Sequence, residues 1–592
     1  MQRLHFSFSP LAAHHLLGLA TLVSLIASFR TASAFEAAEH VRRPVSIAVV
    51  GSELWVANRD TGSISTLALS DGQLTGEVYV AASLADLELF SDQSLAVAVD
   101  PRQHEVVLLR HSNGKPEKID HQGVPHTPVS ICRTNLREFV VASQWARQLT
   151  HWSITQDGSL QRESSITLPF APRLQCVDTD GRYLFVADAF GPYLAVIDLQ
   201  TFTCHSTILI PGHNIRGMAI TDHGRLLLAH QQLNEFVPTT RDHVFWGTVM
   251  SNLIRSLPIE RIVAASTSEP RRFHGSLFPL GREGNAAGDP GELLLTQQGD
   301  LVLAINGTGE LAQRTRYGLQ FDRMRVATGK FSMTFGPTDR HVYVASRFDD
   351  RVSKVDLADD RVVYETSLGP RPALSPAQQG EAQFHNSRLS LDGWLSCHSC
   401  HSDGHTGDFV NDNFGDDSIG APKRIPSLLG TADTAPWSWR GSEQSLAAQI
   451  RKSLYQTMRG GGDQRFREED VQALTSFVQS LSPAPGIAAA QNRPSTAAVE
   501  RGRQLFEINN CLECHPGPNF AAPLVVDVGL SDELGLSKFN PPSLRGVSQR
   551  RQFFHDGSAK SLKDVFLEFA HPREATWSDH EVEDLVQYLE TL

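Results

Sequence analysis

A short apolar run containing Val-Ala or Leu-Ala recurs along the first two thirds of the chain. It starts at Leu54 (LWVAN), Leu95 (LAVAV), Phe139 (FVVAS), Leu184 (LFVAD), Leu226 (LLLAH), Leu301 (LVLAI) and Val342 (VYVAS), and apart from one gap of 75 residues the starts lie 41 to 45 residues apart. A polar or Gly-containing turn usually follows, and then a second alternating run such as Tyr193 to Leu199 or Val352 to Leu357. Alternation with period two marks strands, and the turn between two such runs marks a hairpin. Four short strands in a unit of this length predict a β-propeller, whose blades bury their faces only against one another. Seven copies predict seven blades over residues 40–368. Ala57, Ala98, Ala142, Ala187, Ala229, Ala304 and Ala345 recur at the same place in each copy, where small side chains suit crowded packing. The long gap holds roughly 30 residues more than a blade requires. That surplus, with His230, Phe236, Arg241, His243, Trp246 and Arg272, is expected to leave one face of the fifth blade as long loops and to serve function.

The period changes after Pro370. A connector from Gly369 to Gly380 leads into segments with apolar residues at helical spacing, among them Ser445 to Tyr455 and Glu468 to Leu481. Residues 374–482 and 498–592 form two units joined by a Pro- and Ala-rich linker at 483–497. Each unit opens near a Cys-x-x-Cys-His motif and closes on an amphipathic helix, at Val471 to Leu481 and at Glu581 to Leu592. The expected fold is therefore multidomain: an all-β seven-bladed propeller followed by two all-α cytochrome c-like haem domains.

Composition narrows the picture only slightly. Of 592 residues 41% are apolar and 20% charged, which suits globular protein. The net charge of -13 comes with no basic block to neutralise phosphates, so a nucleic-acid partner is not expected. Arg3, the apolar stretch Leu16 to Ala27 and the small residues Ala32-Ser33-Ala34 have the layout of a secretory signal over residues 1–34, so the mature chain is expected outside the cytoplasm, in the periplasm or otherwise exported. No later segment is long and apolar enough to span a bilayer. Seven cysteines make an odd number for a disulfide framework, and four belong to the two motifs. Cys132, Cys176 and Cys204 are left over, as small buried side chains or with one disulfide among them.

The motifs are CHSCH, Cys397 to His401, and CLECH, Cys511 to His515. Two thiols three positions apart can bond both vinyl groups of one haem, and the adjacent histidine then lies beneath the iron. A closed four-ligand zinc site fits poorly, because the motifs lie more than 100 residues apart in separate units. Cys397, Cys400, Cys511 and Cys514 are thus expected to carry two covalent haem c groups, with His401 and His515 as proximal ligands. The opposite ligand decides what each iron can do. Met458, in QTMRGG, is the candidate axial thioether of the first unit, with core packing as its alternative; His385 and His405 fit the role less well. The second unit contains no methionine. Of His555, His571 and His580, the loop residue His571 is the better ligand, and His580 is expected to be solvated.

The stretch FNPPSLRGVSQRRQFFHDGSAKSLKDV (Phe539 to Val565), together with LSPAQQGEAQFHNSRLS before the first motif and RGRQLF before the second, strongly resembles the bacterial di-haem cytochrome c peroxidase and MauG-like family, from about Leu374 to Leu592. The resemblance implies that the first haem meets peroxide, that the second relays electrons, and that Trp439, in SWRG, couples them. It also implies a calcium ion between the haem domains and, as partner, a small redox protein or a peroxide-like small substrate. Two departures stand out. His571 falls within one or two residues of the position where the family places Met or Tyr, which implies a bis-His second haem. The loop carrying the family's distal histidine is shortened at Ser418-Ile419-Gly420, and Thr457 and Met458 stand nearest the place of its catalytic glutamate, leaving Glu443 as a substitute acid. Two functions follow: a peroxidase-like oxidoreductase, or an electron carrier with both irons six-coordinate.

Overall fold

The computed structural model describes residues 38–90, 94–112, 114–265, 271–413, 419–463, 465–573 and 575–592. The expected signal segment at 1–34 lies outside them. Seven antiparallel sheets of at least four strands follow one another along the chain. The first blade comprises Pro44–Val50, Glu53–Asn58, Ser63–Ala68 and Leu74–Tyr79, and the seventh Phe331–Phe335, His341–Ser346, Arg351–Asp356 and Arg361–Ser367. Each blade is a four-stranded meander, interrupted only in the fifth, and the first and seventh are built wholly from the two ends of the repeat region. Ile47, Leu54 and Val56 of blade 1 pack against Tyr343, Ala345 and Val352 of blade 7.

The apolar core is divided among the blade interfaces. Blades 2 and 3, for instance, share Val97, Val99, Leu108, Phe139, Val141 and Trp152. All seven repeated alanines are fully buried, as close packing between twisted sheets requires.

The surplus of the fifth blade takes two routes. Between strands Arg225–Leu233 and Met250–Pro258 the chain forms the short helix Arg241–Phe245, capped by the Thr240 hydroxyl. Val244, Val249 and Met250 there join the apolar cluster of the first helical unit, and the Trp394 indole donates to the Phe245 carbonyl at 3.0 Å. The second excursion, after Pro258, folds back onto blade 4, where Arg271–Arg272 adds a parallel fifth strand. The expectation of loops from one face thus holds for only part of the insertion, because Ile262 packs into the apolar cluster between blades 4 and 5.

Both helical units use one device. Helix Pro376–Phe384 crosses Glu468–Ser480, and helix Ala497–Ile508 crosses Asp579–Leu589. At each crossing stands a glycine: a Cβ on Gly380 would lie 1.9 Å from the Ala473 carbonyl oxygen, and one on Gly502 would lie 2.0 Å from that of Asp584. Phe384 and Phe506, four residues further on, are buried below the crossing. The stretch between the units carries the short helix Ile487–Ala490, tied to the C-terminal unit by Ala488 N to Glu590 O at 3.0 Å. Among the described residues no helix is long and apolar enough to cross a membrane.

Candidate haem sites

The first motif forms a single helical turn, Cys397–Cys400. His401 follows, and its Nδ1 is 2.9 Å from the Pro426 carbonyl oxygen. That bond fixes the tautomer and leaves Nε2 free to meet a metal. Burial pushes the imidazole pKa down to about 4, so the ring is neutral at pH 7, as ligation requires. The thiols of Cys397 and Cys400 are unpaired and are pushed up to about 12 by burial, with Asp289 adding to the rise at both. All three side chains are surrounded by protein and yet only half-buried, so they line a cleft. Its walls include Phe384, Leu389, Trp394, Phe409, Ile425, Leu454 and Met458. An apolar cleft with two free thiols and a pre-oriented imidazole fits a covalently held haem.

The second motif is built alike but more openly. His515 Nδ1 is 3.1 Å from the Phe520 carbonyl oxygen, and burial again pushes the ring down to about 4. Cys511 packs beside Phe506, Phe553, Val565 and Leu585, whereas Leu512 and Glu513 are exposed. His571 lies close enough to His515 to help depress its pKa. Its backbone is pinned at both ends, N–H to Val565 O at 3.1 Å and C=O from the Trp577 indole at 2.9 Å, while Nδ1 is buried without a partner. These residues, too, fit a haem, with a second imidazole on hand.

The remaining expected residues are distributed as follows. Met458 is buried in the cluster that contains Cys397 and Cys400. The Trp439 indole donates to the Arg424 carbonyl at 2.6 Å and lies beneath the Arg424 guanidinium. Arg424 in turn donates from its backbone to His555 O and from Nε to Phe554 O, so Trp439 stands at the seam between the units. His405 is held between Trp145 and Phe190 of the propeller, with Nδ1 3.0 Å from Ser427 Oγ. His385 caps a helix and stacks on His398 at 4.4 Å; His555 stacks on Phe539. His580 is exposed beside Asp584. Glu443 is occupied by Lys452 at 3.2 Å. Ser418 lies outside the described residues. Cys132, Cys176 and Cys204 form no disulfide, and Cys204 is exposed rather than buried, since it faces outward on the last strand of its blade. Among the described residues no three His, Cys, Asp or Glu side chains converge to hold a metal ion. A calcium between the domains would therefore need main-chain and amide oxygens.

Periodicity did not reveal how the propeller grips the first motif. Asp289, at the entry to blade 6, accepts hydrogen bonds from Ser396 Oγ and from Ser399 Oγ at 2.6 Å. His213 Nε2 bonds Ser399 O at 2.8 Å, Gln231 donates to Ser399 Oγ at 3.1 Å, and Asn214 Nδ2 meets His398 Nδ1 at 3.3 Å. Burial alone would raise the Asp289 pKa, and bonds from His398 and the two serines lower it instead. The only sequence signal was the polar pair His398-Ser399 inside the motif, where the chemistry leaves the residues free. The propeller also holds Glu381 of the first unit, through Arg59 Nη1 at 2.5 Å, Arg347 at 3.5 Å and Arg43 at 3.9 Å. It meets the second unit through Arg551 on Asp188 at 2.6 Å and Arg147 on Ser548 O at 3.0 Å, away from that unit's motif.

The family model described as Di-haem cytochrome c peroxidase matches residues 376–500. The methylamine utilization protein MauG of Methylophilus methylotrophus is 26% identical over 276 residues, covering 37% of this chain and 82% of the relative. Hydrazine synthase subunit gamma of Kuenenia stuttgartiensis is 25% identical over 270 residues, covering 36% of this chain and 76% of the relative. Among solved structures, Kuenenia stuttgartiensis hydrazine synthase is similar with a TM-score of 0.47 at 17% identity, over 55% of this chain and 99% of that chain.

Proposed function

Because the C-terminal part of this chain belongs to the di-haem cytochrome c peroxidase/MauG family, which implies two c-type haems, we propose that the protein is an exported di-haem oxidoreductase. Its first site takes a peroxide-like small substrate, and its second exchanges electrons with a small redox protein. Haem supplies one-electron chemistry and, where its iron keeps an open position, a place for a small oxidant. The chain's residues do the rest. Four cysteines anchor, His401 and His515 ligate from fixed tautomers, Trp439 bridges the seam, and the propeller shields the first site from water. Export is supported by the pattern Arg3, Leu16 to Ala27 and Ala32-Ser33-Ala34.

One observation carries the division of labour. His515 has a second imidazole, His571, within electrostatic reach, whereas among the described residues no other imidazole perturbs His401. A bis-His site suits electron transfer and an open one suits reaction with substrate. Electron paramagnetic resonance of the oxidised protein should show one low-spin and one high-spin haem, and only the latter should respond to peroxide. A wholly low-spin spectrum indifferent to peroxide would sink the reading. A second reading, an electron carrier with both irons six-coordinate, draws on the burial of Met458 beside Cys397 and Cys400. Met458→Ala separates the two, since only a ligating methionine changes the first haem's spin state when removed.

A further inference from the structure

The innermost strands of the propeller bring several cations to the axis, directly beneath the first haem loop. Arg173 comes from the innermost strand of blade 4 and Arg216 from that of blade 5; Lys330 enters blade 7, and Arg347 follows that blade's second strand. The haem loop contributes Asp403, in a left-handed backbone conformation (φ 49°), and the turn before it contributes His385. Lys330 feels Arg347, Arg173, Arg216 and Asp403. Those groups come from three blades and the haem loop, and the axis is the place where they can meet.

Positive charge is in excess there. Asp403 Oδ2 serves two guanidiniums at once, Arg173 at 2.9 Å and Arg216 at 3.0 Å. Asp289 and Asp188 also lie within electrostatic reach of Arg216. Asp289 is taken by Ser396 and Ser399, and Asp188 by Arg551. Glu381 is shared by three arginines. Lys330 is half-buried and, among the described residues, has no carboxylate within 4 Å and no hydrogen bond from its ammonium group; burial and its cationic neighbours push its pKa well down. Arg216, with its side chain 6% exposed, has Nε and Nη1 buried and unbonded. His385 is 7% exposed, with its ring against that of His398. The space is not sealed, since Arg173 and Asp403 keep 23% and 24% of their side-chain surface accessible. Unpaired buried charge is costly unless a counter-ion compensates it.

We propose that this axial chamber is an anion site, taking one compact oxyanion, inorganic or the carboxylate of a small acid, on Lys330 and Arg216 beneath the first haem loop. The inference stands apart from the redox reading, because it concerns binding alone. Calorimetric titration of the full-length holoprotein with inorganic phosphate, and separately with acetate, each against chloride at equal ionic strength, tests it. Saturable binding of one anion per chain is expected. Phosphate alone would indicate an inorganic ligand, acetate alone a carboxylate, and both the shared chemistry. Lys330→Met should weaken binding at least tenfold and Lys330→Arg should retain it, while Arg340→Gln on the outside of blade 7 should change nothing. Unchanged visible spectra of both haems would show that the variants fold. Heat effects that never saturate with either anion, or equal affinity in Lys330→Met, would overturn the proposal.

Discussion

The two Cys-x-x-Cys-His motifs share a spacing and a proximal tautomer, and they differ in what holds the residues between the cysteines. In the first, His398 and Ser399 are buried and bonded to two blades of the propeller, the fifth and the sixth. In the second, Leu512 and Glu513 face solvent, and the propeller touches that unit only through other loops. The same contrast runs through the preceding helices. Gly380-Glu381 and Gly502-Arg503 occupy matching places at the two crossings; Glu381 is clasped by three propeller arginines, whereas Arg503 pairs with Glu500 and Glu507 in the open. A motif fixes how a haem is attached. Its surroundings fix the dielectric, the hydrogen bonding and the access that govern reactivity.

The largest expected effect is on the cofactor. Replacing Cys397 and Cys400 by Ala should lower the pyridine-haemochrome count from two haems per chain to one, as should replacing Cys511 and Cys514. The first pair should also lower the melting temperature more, because that motif is bonded to the propeller.

Next comes Glu381. Burial alone would raise its pKa, and Arg59, Arg347 and Arg43 overrule it, drawing the carboxyl down to about 2. A carboxylate depressed below its unfolded value contributes stability above that value, near pH 4.5, and loses it as pH falls toward 2. Glu381→Ala should therefore cost about 3–5 kcal/mol at pH 7 by leaving buried arginines unpaired, and the deficit should shrink in acid. Arg503→Ala should cost under about 0.5 kcal/mol, the usual worth of an exposed helix pair. Equal losses in denaturant titrations of these two variants would erase the comparison.

Asp289→Asn should cost about 1–3 kcal/mol through mismatched buried hydrogen bonds. It should also raise the midpoint potential of the first haem alone, because a buried negative charge stabilises the oxidised form. A matching shift in the second haem, followed by spectroelectrochemistry, would contradict a local effect. Smallest in stability and sharpest in spectrum is His571→Ala, which should convert the second haem from low to high spin without altering the first.

Much of this was legible in one dimension. A blade buries its strands against its neighbours, so alternation and an even repeat sufficed to count seven blades and to place seven alanines at their interfaces. Thioether spacing is a covalent constraint, so the two Cys-x-x-Cys-His motifs stand out from sequence alone. The QQGEAQF and ERGRQLF stretches also carried the crossing glycines in plain sight, although only the helix contacts explain them. The grip of Asp289, His213, Asn214 and Gln231 on the first motif joins residues more than 100 positions apart. No local period reports such contacts. Cys204 and half of the fifth-blade insertion were misplaced for the same reason: their surroundings come from a strand's outer face and from another blade. The sequence by itself determined the repeat and the places of the two Cys-x-x-Cys-His motifs, since each is written in neighbouring residues. Which motif is enclosed, which histidines come near which, and where the axial cations converge were decided only by the tertiary structure, because burial and charge pairing belong to the closed ring and what sits on it.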